Sequence, residues 1–354
     1  MTARKLSIAD CNVRRIVIEA SAPFSGAMNF EIGPGLQAID RLHRFAPAPR
    51  TALVEYFKLE KVIFDGQTGA VFKDGVHVSE TRYSTQPSHT FNVDQHRVIR
   101  QSGNRPIFIG FHAWHHNYYH WLTQCIPSMF WALAACNQAD TLFALPSLTP
   151  WQEHALALAG MSELERYPVD SRQQYAVAQL SYTTFTQGAS TYRPSDKAAE
   201  VFRLIRSRAT CESTPANSVI YVSREDATSR RMENEAEVMA ALKTEGVDIV
   251  VPSLYSIEAQ IATFSGAKAV IGPHGAGLTN IVFCEPGATL YEIMADNKPN
   301  PCYANLAQSM GMNYYGEAFP GHSTAGERED WIADVQTVLQ ASRRLLELPP
   351  VGRA

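Results

Sequence analysis

Short apolar segments alternate with helix-forming segments through the second half of the chain, between residues 218 and 295. Four of the apolar segments have the length and β-branched content of buried strands: SVIYVS, DIVVP, KAVIG and ATLYEIM. Two of the segments between them have the pattern of helices: ENEAEVMAALKTEG and SIEAQIATFSGA. Strands that alternate with helices at this spacing predict βαβ units and a parallel sheet, and therefore an α/β fold.

The first half of the chain gives a more mixed pattern. VRRIVIEA alternates between polar and apolar residues, and AVFKDGVHVSE places a turn at Asp74-Gly75 between two β-prone runs. From Asn117 onward the pattern changes, because YYHWLTQCIPSMFWALAAC is typical of a largely buried helix. The proline at position 127 predicts a kink in that helix.

The length of 354 residues favours two domains over one. The loop QGASTYRPS, residues 187–195, predicts the boundary, so that residues 1–190 form an N-terminal domain and residues 191–325 a C-terminal domain. Residues 326–354 include a strongly amphipathic segment, which predicts a helix that packs back across the domains. Peripheral binding to a membrane surface is the alternative for that helix.

The composition restricts the classes of function. The chain is 45% hydrophobic and 19% charged, with a net charge of −4, and it has no concentrated run of Lys and Arg, which argues against nucleic-acid binding. No run of about 20 apolar residues predicts a membrane span, and the N-terminus lacks the apolar core of a secretory signal. The six scattered cysteines fit free thiols in a reducing cytoplasm.

The segment VIGPHGAGLTNIVF, residues 270–283, carries the most chemical information. A buried strand runs into a glycine-rich loop and then into a predicted helix, whose first N–H groups and positive dipole end suit a diphosphate. The spacing is GxxGxG, unlike the GxGxxG of nicotinamide-binding enzymes. A tight turn that needs glycine only for its geometry is the competing interpretation. The candidate binding residues are Gly272, His274, Gly275, Ala276, Gly277, Leu278, Thr279 and Asn280.

A second candidate anion-binding segment is YVSREDATSRRMENE, residues 221–235. It follows a strand and carries Arg224, Arg230 and Arg231 at the carboxyl edge of the sheet, where open parallel sheets bind ligands. Arginine suits phosphate because it donates two parallel hydrogen bonds, although a solvated loop with Arg–Asp pairs is the alternative. Glu292 ends an apolar strand, and it could accept hydrogen bonds from ribose hydroxyls or be a half-exposed acid.

Taken in this order, these segments resemble the family-61 glycosyltransferases, which include bacterial enzymes of capsular and cell-surface polysaccharides and eukaryotic enzymes that add xylose or N-acetylglucosamine. The matching residues are Asn117-Tyr118-Tyr119-His120-Trp121-Leu122, Tyr221-Val222-Ser223-Arg224 with Asp226 and Arg230 or Arg231, Gly272-Pro273-His274-Gly275-Ala276-Gly277-Leu278-Thr279-Asn280, and Pro286-Gly287 with Glu292. One departure is visible, since an acidic residue commonly follows HWL by two positions in the family and Gln124 stands there in this chain.

The resemblance implies a GT-B architecture, with two Rossmann-like domains facing across a cleft and a nucleotide sugar held by the C-terminal one. It also implies inversion at the anomeric carbon, no obligatory metal and no cofactor, with a UDP-linked sugar as the expected substrate and a glycan as its acceptor. The expected setting is cell-surface polysaccharide biosynthesis in the cytoplasm, with the enzyme peripheral at the inner face of the membrane. A nucleotide-sugar epimerase and a non-catalytic nucleotide- or glycan-binding subunit are the alternatives.

An inverting transfer needs a base that takes the proton of the acceptor hydroxyl, and the stretch FHAWHHNYYHW is the expected place for it. In a helix that begins near Asn117, His116 and His120 would lie one turn apart on one face. Imidazole titrates near neutral pH, and His120 lies in a matched segment, so it is the first candidate. Asp94 or His96, in FNVDQH, is an alternative base. The four histidines could instead bind zinc, although neither an HExxH motif nor a cysteine pair accompanies them.

Overall fold

The computed structural model describes residues 5–7, 11, 14–24, 29–37, 47–81, 92–184, 192–210, 217–297, 299–321 and 330–352. Its strands, in chain order, are β1 (Lys5–Leu6), β2 (Arg14–Glu19), β3 (Phe30–Ile32), β4 (Val54–Asp65), β5 (Val71–Lys73), β6 (Val76–Val78), β7 (Val98–Arg100), β8 (Ile107–Ile109), β9 (Leu142–Pro146), β10 (Arg166–Val169), β11 (Gln174–Thr183), β12 (Ser218–Val222), β13 (Asp248–Val250), β14 (Ala267–Pro273), β15 (Thr289–Ala295) and β16 (Asn313–Phe319). Its α-helices are α1 (Pro34–Gln37), α2 (Tyr118–His120), α3 (Ile126–Ala135), α4 (Pro150–Leu158), α5 (Asp196–Arg208), α6 (Glu235–Thr244), α7 (Ile257–Gly266), α8 (Cys302–Ser309) and α9 (Val335–Leu346).

The chain forms two compact units, which differ in part from the predicted domains. Unit 1 comprises Met1–Ala22 with Arg50–Tyr192, and unit 2 comprises Pro23–Pro49 with Arg193–Ala354. The division after Tyr192 falls in the loop 187–195, of which residues 187–191 lie outside the described part of the chain. Residues 23–49 belong to unit 2 rather than to the N-terminal domain, because β3 adds a strand to the edge of its sheet.

The sheet of unit 1 is mixed. Its order is β1-β6-β5-β4-β11-β8-β9-β10, with β2 also paired to β4 and β7 also paired to β11. The two long strands β4 and β11 run antiparallel, whereas β8, β9 and β10 run parallel to one another and β8 runs parallel to β11. Its parallel part, β11-β8-β9-β10, fits the mostly parallel sheet of the Rossmann-like domain that the family resemblance implies, whereas its antiparallel strands do not.

The hairpin predicted around Asp74-Gly75 is confirmed. Strands β5 and β6 pair antiparallel with Lys73 opposite Val76, so that two residues form the turn. Both have positive φ, 50° at Asp74 and 76° at Gly75, as a two-residue turn with the twist of the flanking strands requires.

Unit 2 contains the predicted parallel sheet. Its order is β13-β12-β14-β15-β16-β3, and every neighbouring pair is parallel. The first five strands thus follow the doubly wound order 2-1-3-4-5. The chain leaves β12 for β13 on one side and then returns to β14 on the other side. In such sheets the ligand crevice lies outside the carboxyl ends of the two strands where the direction changes, here β12 and β14.

The predicted C-terminal helix is shorter than expected and packs within unit 2. Helix α9 begins after Asp334, whose carboxylate accepts a hydrogen bond from the Thr337 N–H. Its buried side chains Val338 and Leu345 join the hydrophobic core that also contains residues of β12 and β14. Packing of this helix across the domains stays a prediction. None of the described helices is both long and apolar enough to span a bilayer.

Candidate active site

Two loops meet at the switch point of unit 2, at the carboxyl ends of β12 and β14. Arg224 follows β12, and its Nη1 donates hydrogen bonds to the carbonyl oxygens of His274 at 2.7 Å and of Arg230 at 3.2 Å. His274 follows β14, and its N–H donates to the Ile293 carbonyl on β15 at 2.8 Å. The structure thus brings together the two segments that the sequence singled out for anion binding.

Glycine is required in this loop by crowding rather than by backbone conformation. A Cβ atom on Gly275 would lie 2.4 Å from both Cδ and Nε of Arg224, and one on Gly272 would lie 2.9 Å from the Val222 carbonyl oxygen. The φ of Gly275 is −177°, which any residue adopts. Gly275 therefore serves to let the Arg224 side chain lie against the loop.

The helix predicted after the loop is a 3₁₀ helix, Ala276–Phe283, instead of an α-helix. Its first bond runs from the Leu278 N–H to the Gly275 carbonyl at 3.0 Å. The N–H groups of Ala276 and Gly277 precede that bond, so the helix itself offers them no acceptor. Both residues are partly exposed, and their N–H groups can serve a bound anion.

Three of the predicted binding residues are buried supports of the loop. Leu278, Thr279 and Asn280 are all buried. The Asn280 side-chain amide donates to Gln260 Oε1 at 2.8 Å and to the Gly277 carbonyl at 3.2 Å. Asn280 therefore fixes the glycine-rich loop on helix α7 and has no accessible surface for a ligand.

Two guanidinium groups lie together at the switch point. Burial lowers the pKa of Arg224, and the positive charge of nearby Arg230 lowers it further. Arg231 instead forms an ion pair with Asp330 at 3.2 Å, so Arg230 is the better candidate of the two. Within the described residues, no carboxylate forms an ion pair with Arg224 or Arg230. A bound anion would relieve their mutual repulsion.

The structure gives Glu292 a different task from the one expected. Its carboxylate is fully buried, with one oxygen 2.5 Å from His274 Nδ1 and the other accepting a hydrogen bond from the Tyr314 hydroxyl at 2.7 Å. A ribose hydroxyl could not reach it, because the Glu292 side chain has no exposed surface. Glu292 therefore orients the His274 ring, which has a partly accessible edge. We call Arg224, Arg230, His274 and Gly275–Gly277 the anion site.

The histidine-rich stretch lies in unit 1. Asn117 caps helix α2, because its side chain accepts a hydrogen bond from the Tyr119 N–H at 2.9 Å. His116 precedes this cap, so the expected one-turn spacing of His116 and His120 within a single helix is wrong. His116 is exposed, and it still lies close enough to His120 to affect its pKa.

A π-helical turn, Trp121–Cys125, lies immediately before α3, whose first turn contains Pro127, the position of the predicted kink. Proline has no N–H to donate to the carbonyl four residues earlier, which belongs to Thr123. The Tyr192 hydroxyl donates to that carbonyl instead, at 2.8 Å. A π turn inserts one extra residue in a helix and is frequent at functional sites.

His120 and Gln124 form the most constrained polar pair of the stretch. The distance from His120 Nδ1 to Gln124 Oε1 is 2.7 Å, and the Gln124 side chain is buried. Since an amide oxygen only accepts, Nδ1 carries the proton and Nε2 keeps its lone pair. Burial lowers the pKa of His120 to about 4; the Gln124 hydrogen bond opposes this, and His116 adds to it. His120 is therefore an unprotonated base at neutral pH.

Burial also affects His112 and His115. Burial lowers the pKa of His112 well below its ordinary value, and the charge of His120 lowers it further. Burial also lowers the pKa of His115, whose Nδ1 lies 2.9 Å from the His112 carbonyl oxygen. In the part of the chain that the structure describes, no group of three or more His, Cys, Asp or Glu side chains is arranged to hold a metal ion.

The alternative base, Asp94, lies far from the histidines. Its carboxylate caps a short 3₁₀ turn by accepting from the His96 N–H at 3.0 Å, and its own N–H donates to Gln174 at the beginning of β11. The histidine stretch follows β8, which pairs with the end of β11, and the helix after it contacts Thr183 at that end. Eight to nine residues of strand separate the two places, roughly 25 Å.

Sequence reasoning missed Trp114 as a site residue. Its ring is 39% exposed and lies nearly parallel to that of His120, with centroids 6.3 Å apart. Trp121, by contrast, is fully buried in the helix. The pattern of apolar residues could not distinguish them, because Trp114 precedes the helix and has no periodicity of its own. Its exposed face beside a base suits a sugar ring.

The Gln124→Glu substitution tests the state of His120. A carboxylate at Nδ1 stabilises the imidazolium and raises its pKa. A base loses activity as the pH falls through its pKa, so we expect the acidic limb of the kcat profile to move upward by about one pH unit or more. The matched Gln124→Leu variant should lower kcat without that upward move. If the acidic limb of the kcat profile lies at the same pH in Gln124→Glu as in the unsubstituted protein, His120 is not the group whose titration controls kcat.

The sequence profile of Glycosyltransferase 61 matches residues 118–291. A β-1,2-xylosyltransferase of Arabidopsis thaliana is 29% identical over 125 residues, which are 29% of this chain and 23% of that enzyme. A β-1,2-xylosyltransferase of Oryza sativa subsp. japonica is 29% identical over 121 residues, with the same shares. An EGF domain-specific O-linked N-acetylglucosamine transferase of Drosophila melanogaster is 32% identical over 99 residues, 27% of this chain and 19% of that enzyme.

The matched segment contains most of the candidate residues described above in each unit. It begins at the first residue of α2, contains His120 and Arg224, and ends just after the glycine-rich loop, within β15. The alignments span less than a quarter of the length of each curated relative. Through residues 118–291, this chain belongs to the glycosyltransferase 61 family.

Proposed function

We propose that the protein is an inverting glycosyltransferase of the GT-B type, which moves a sugar from a nucleoside diphosphate to a hydroxyl of a glycan. The observation that carries this proposal is the anion site. Two guanidinium groups, which form no ion pair with a carboxylate of the described residues, and two helix N–H groups lie at the switch point of a doubly wound sheet. A diphosphate is the ligand whose charge and size match these groups.

The anion site would stabilise the leaving group. As the bond between the anomeric carbon and the diphosphate oxygen breaks, the electron pair leaves with the diphosphate, whose charge Arg224 and Arg230 neutralise. These guanidinium groups supply the positive charge that a metal ion supplies in other transferases, so we expect transfer to proceed in the presence of a chelator. His274, held by Glu292, is placed to contact the same end of the substrate.

His120 would activate the acceptor. Its Nε2 takes the proton from the acceptor hydroxyl while that oxygen attacks the anomeric carbon on the face opposite the diphosphate. The new glycosidic bond therefore has the inverted configuration, and the proton later passes from His120 to solvent. An unprotonated imidazole at neutral pH suits this role, and the Gln124 hydrogen bond places the ring proton on Nδ1 and the basic lone pair on Nε2.

The substrate class follows from the relatives. Their names refer to the transfer of xylose and N-acetylglucosamine, so we propose a UDP-linked sugar of this kind as the donor substrate. We further propose that the acceptor glycan belongs to a cell-surface polysaccharide, that transfer takes place in the cytoplasm, and that the enzyme acts peripherally at the inner face of the membrane. These last points rest on the resemblance to the bacterial members of the family.

Product analysis tests the proposal. We would screen UDP, CDP and GDP sugars by thermal shift, incubate each ligand that stabilises the protein with a panel of glycan acceptors, and analyse the products by NMR. We expect a new glycoside whose anomeric configuration is inverted relative to that of the donor, with unchanged yield in EDTA. A free epimerised nucleotide sugar would identify an epimerase instead. Binding of nucleotide without turnover on any acceptor would favour a non-catalytic subunit.

A further inference from the structure

The short turn after β13 exposes two large apolar side chains beside the anion site. The turn is a 3₁₀ helix, Pro252–Leu254, followed by Tyr255. Leu254 is 77% exposed, more than any other large apolar side chain that the structure describes, and Tyr255 is 45% exposed. Single exposed apolar residues are ordinary on protein surfaces. Two adjacent ones next to a candidate ligand site form an apolar surface that a ligand can contact.

This turn is tied to the glycine-rich loop by three contacts. A Cβ atom on Gly277 would lie 3.1 Å from Pro252 Cγ, so the two segments are in close contact. Gln260 Nε2 donates to the Tyr255 carbonyl at 3.1 Å, and Gln260 Oε1 accepts from the buried Asn280 at 2.8 Å. The same Asn280 amide bonds the Gly277 carbonyl. The position of Tyr255 is therefore fixed relative to the N–H groups of the anion site.

The sheet topology indicates which part of a nucleotide would reach this turn. In doubly wound sheets the diphosphate lies at the end of the first strand and the nucleoside extends over the end of the second. Here the first strand is β12, which leads to Arg224, and the second is β13, which leads to Pro252. On the other side of β12, the loop after β14 presents His274, whose polar ring suits a sugar better than a base.

We infer that Leu254 and Tyr255 form the nucleobase-binding surface of the nucleotide site, an inference that rests on the proposed function. Aromatic and apolar side chains bind bases through their flat faces, and each such contact contributes to affinity without using charge. The surface would accept the pyrimidine of a nucleoside diphosphate while the anion site holds its phosphates. Inorganic pyrophosphate would use the anion site alone.

Calorimetry with UDP and with inorganic pyrophosphate separates the two contributions. We expect Tyr255→Ala to weaken UDP binding about tenfold or more, the effect typical of a lost base-stacking contact, while Tyr255→Phe stays within about twofold. Leu254→Ala should also weaken UDP binding. Pyrophosphate affinity should be unchanged in all three variants. Ile99→Ala is the matched control, because Ile99 is a similarly exposed apolar residue, at 44%, in unit 1.

Three results would overturn the inference. If Tyr255→Ala binds UDP as the unsubstituted protein does, while Arg224→Ala binds it more weakly, the base lies elsewhere although the proposed diphosphate site stands. If Tyr255→Ala weakens pyrophosphate and UDP equally, the turn supports the loop instead of contacting the base. If neither Arg224→Ala nor Tyr255→Ala changes UDP binding, the nucleotide site itself is misplaced and the proposed function fails with it. Melting curves establish that each variant is folded.

Discussion

Replacing Arg224 with alanine is expected to weaken the binding of UDP about 100-fold. A half-buried guanidinium that neutralises a phosphate makes charge-assisted hydrogen bonds, and removal of one such partner typically costs about 2–5 kcal/mol. A loss near the lower end of that range raises the Kd of UDP about 100-fold. Isothermal titration calorimetry of UDP measures it directly, without knowledge of the acceptor.

Two further variants make the Arg224 result specific. Arg224→Lys should retain an intermediate affinity, because a lysine keeps the charge but cannot donate two parallel hydrogen bonds. Arg231→Ala should bind UDP normally, since that guanidinium is engaged with Asp330. Arg224 also bonds the carbonyls of His274 and Arg230, so each variant needs a melting curve. Normal UDP affinity in a folded Arg224→Ala protein would refute the phosphate role.

Replacing His120 with alanine is expected to reduce sugar transfer by about 10²-fold or more while leaving UDP affinity near normal. That reduction is the usual effect of removing a general base. Binding of UDP should be unaffected, because the anion site consists of residues of unit 2 and His120 belongs to unit 1. Initial rates at saturating donor and acceptor, with calorimetry in parallel, measure both quantities.

The pH dependence gives a second test of His120. Its pKa is lowered to about 4, so the group is deprotonated, and active as a base, above that value. We expect kcat of the unsubstituted enzyme to fall only as the pH drops towards about 4, well below the ordinary histidine range. An acidic limb of the kcat profile near pH 6.5 would contradict the lowered pKa of His120.

Two control variants address the residues that the structure separates from the histidines. Asp94→Asn should retain full activity, because an asparagine side chain can still cap the Gln95–Arg97 turn. His96→Ala removes an exposed imidazole at the same end of β11 and should also leave the rate of sugar transfer unchanged. Full activity of His120→Ala, or loss of activity in Asp94→Asn, would move the base away from His120.

The elements whose interactions are local could be read from the sequence. Strands β12–β15 and helices α6 and α7 are predictable because buried parallel strands are short continuous apolar runs, and Gly246, with a φ of 87°, ends α6 where the pattern ends. The hairpin at Asp74-Gly75 follows from turn chemistry alone. Arg224 and the glycine-rich loop were found together because both directly follow strands of one sheet.

The elements that depend on distant partners could not be read in this way. The π turn at Trp121–Cys125 needs an outside donor for the Thr123 carbonyl, and that donor is Tyr192. The burial of Glu292 depends on Tyr314 of the neighbouring strand β16. Nothing in the local pattern around Phe30–Ile32 indicates that this strand joins a sheet formed almost 200 residues later.

By itself, the sequence determined that this chain has a parallel α/β sheet, and which loops carry glycine, arginine and histidine, because strand periodicity and residue chemistry are properties of short segments. Only the tertiary structure decided which of those side chains remain available. Asn280 and Glu292 form buried hydrogen bonds, and Arg231 forms an ion pair with Asp330. Arg224 and Arg230 lie near each other at the switch point. The reason is that availability depends on strand order and burial, which arise from contacts between segments far apart in the chain.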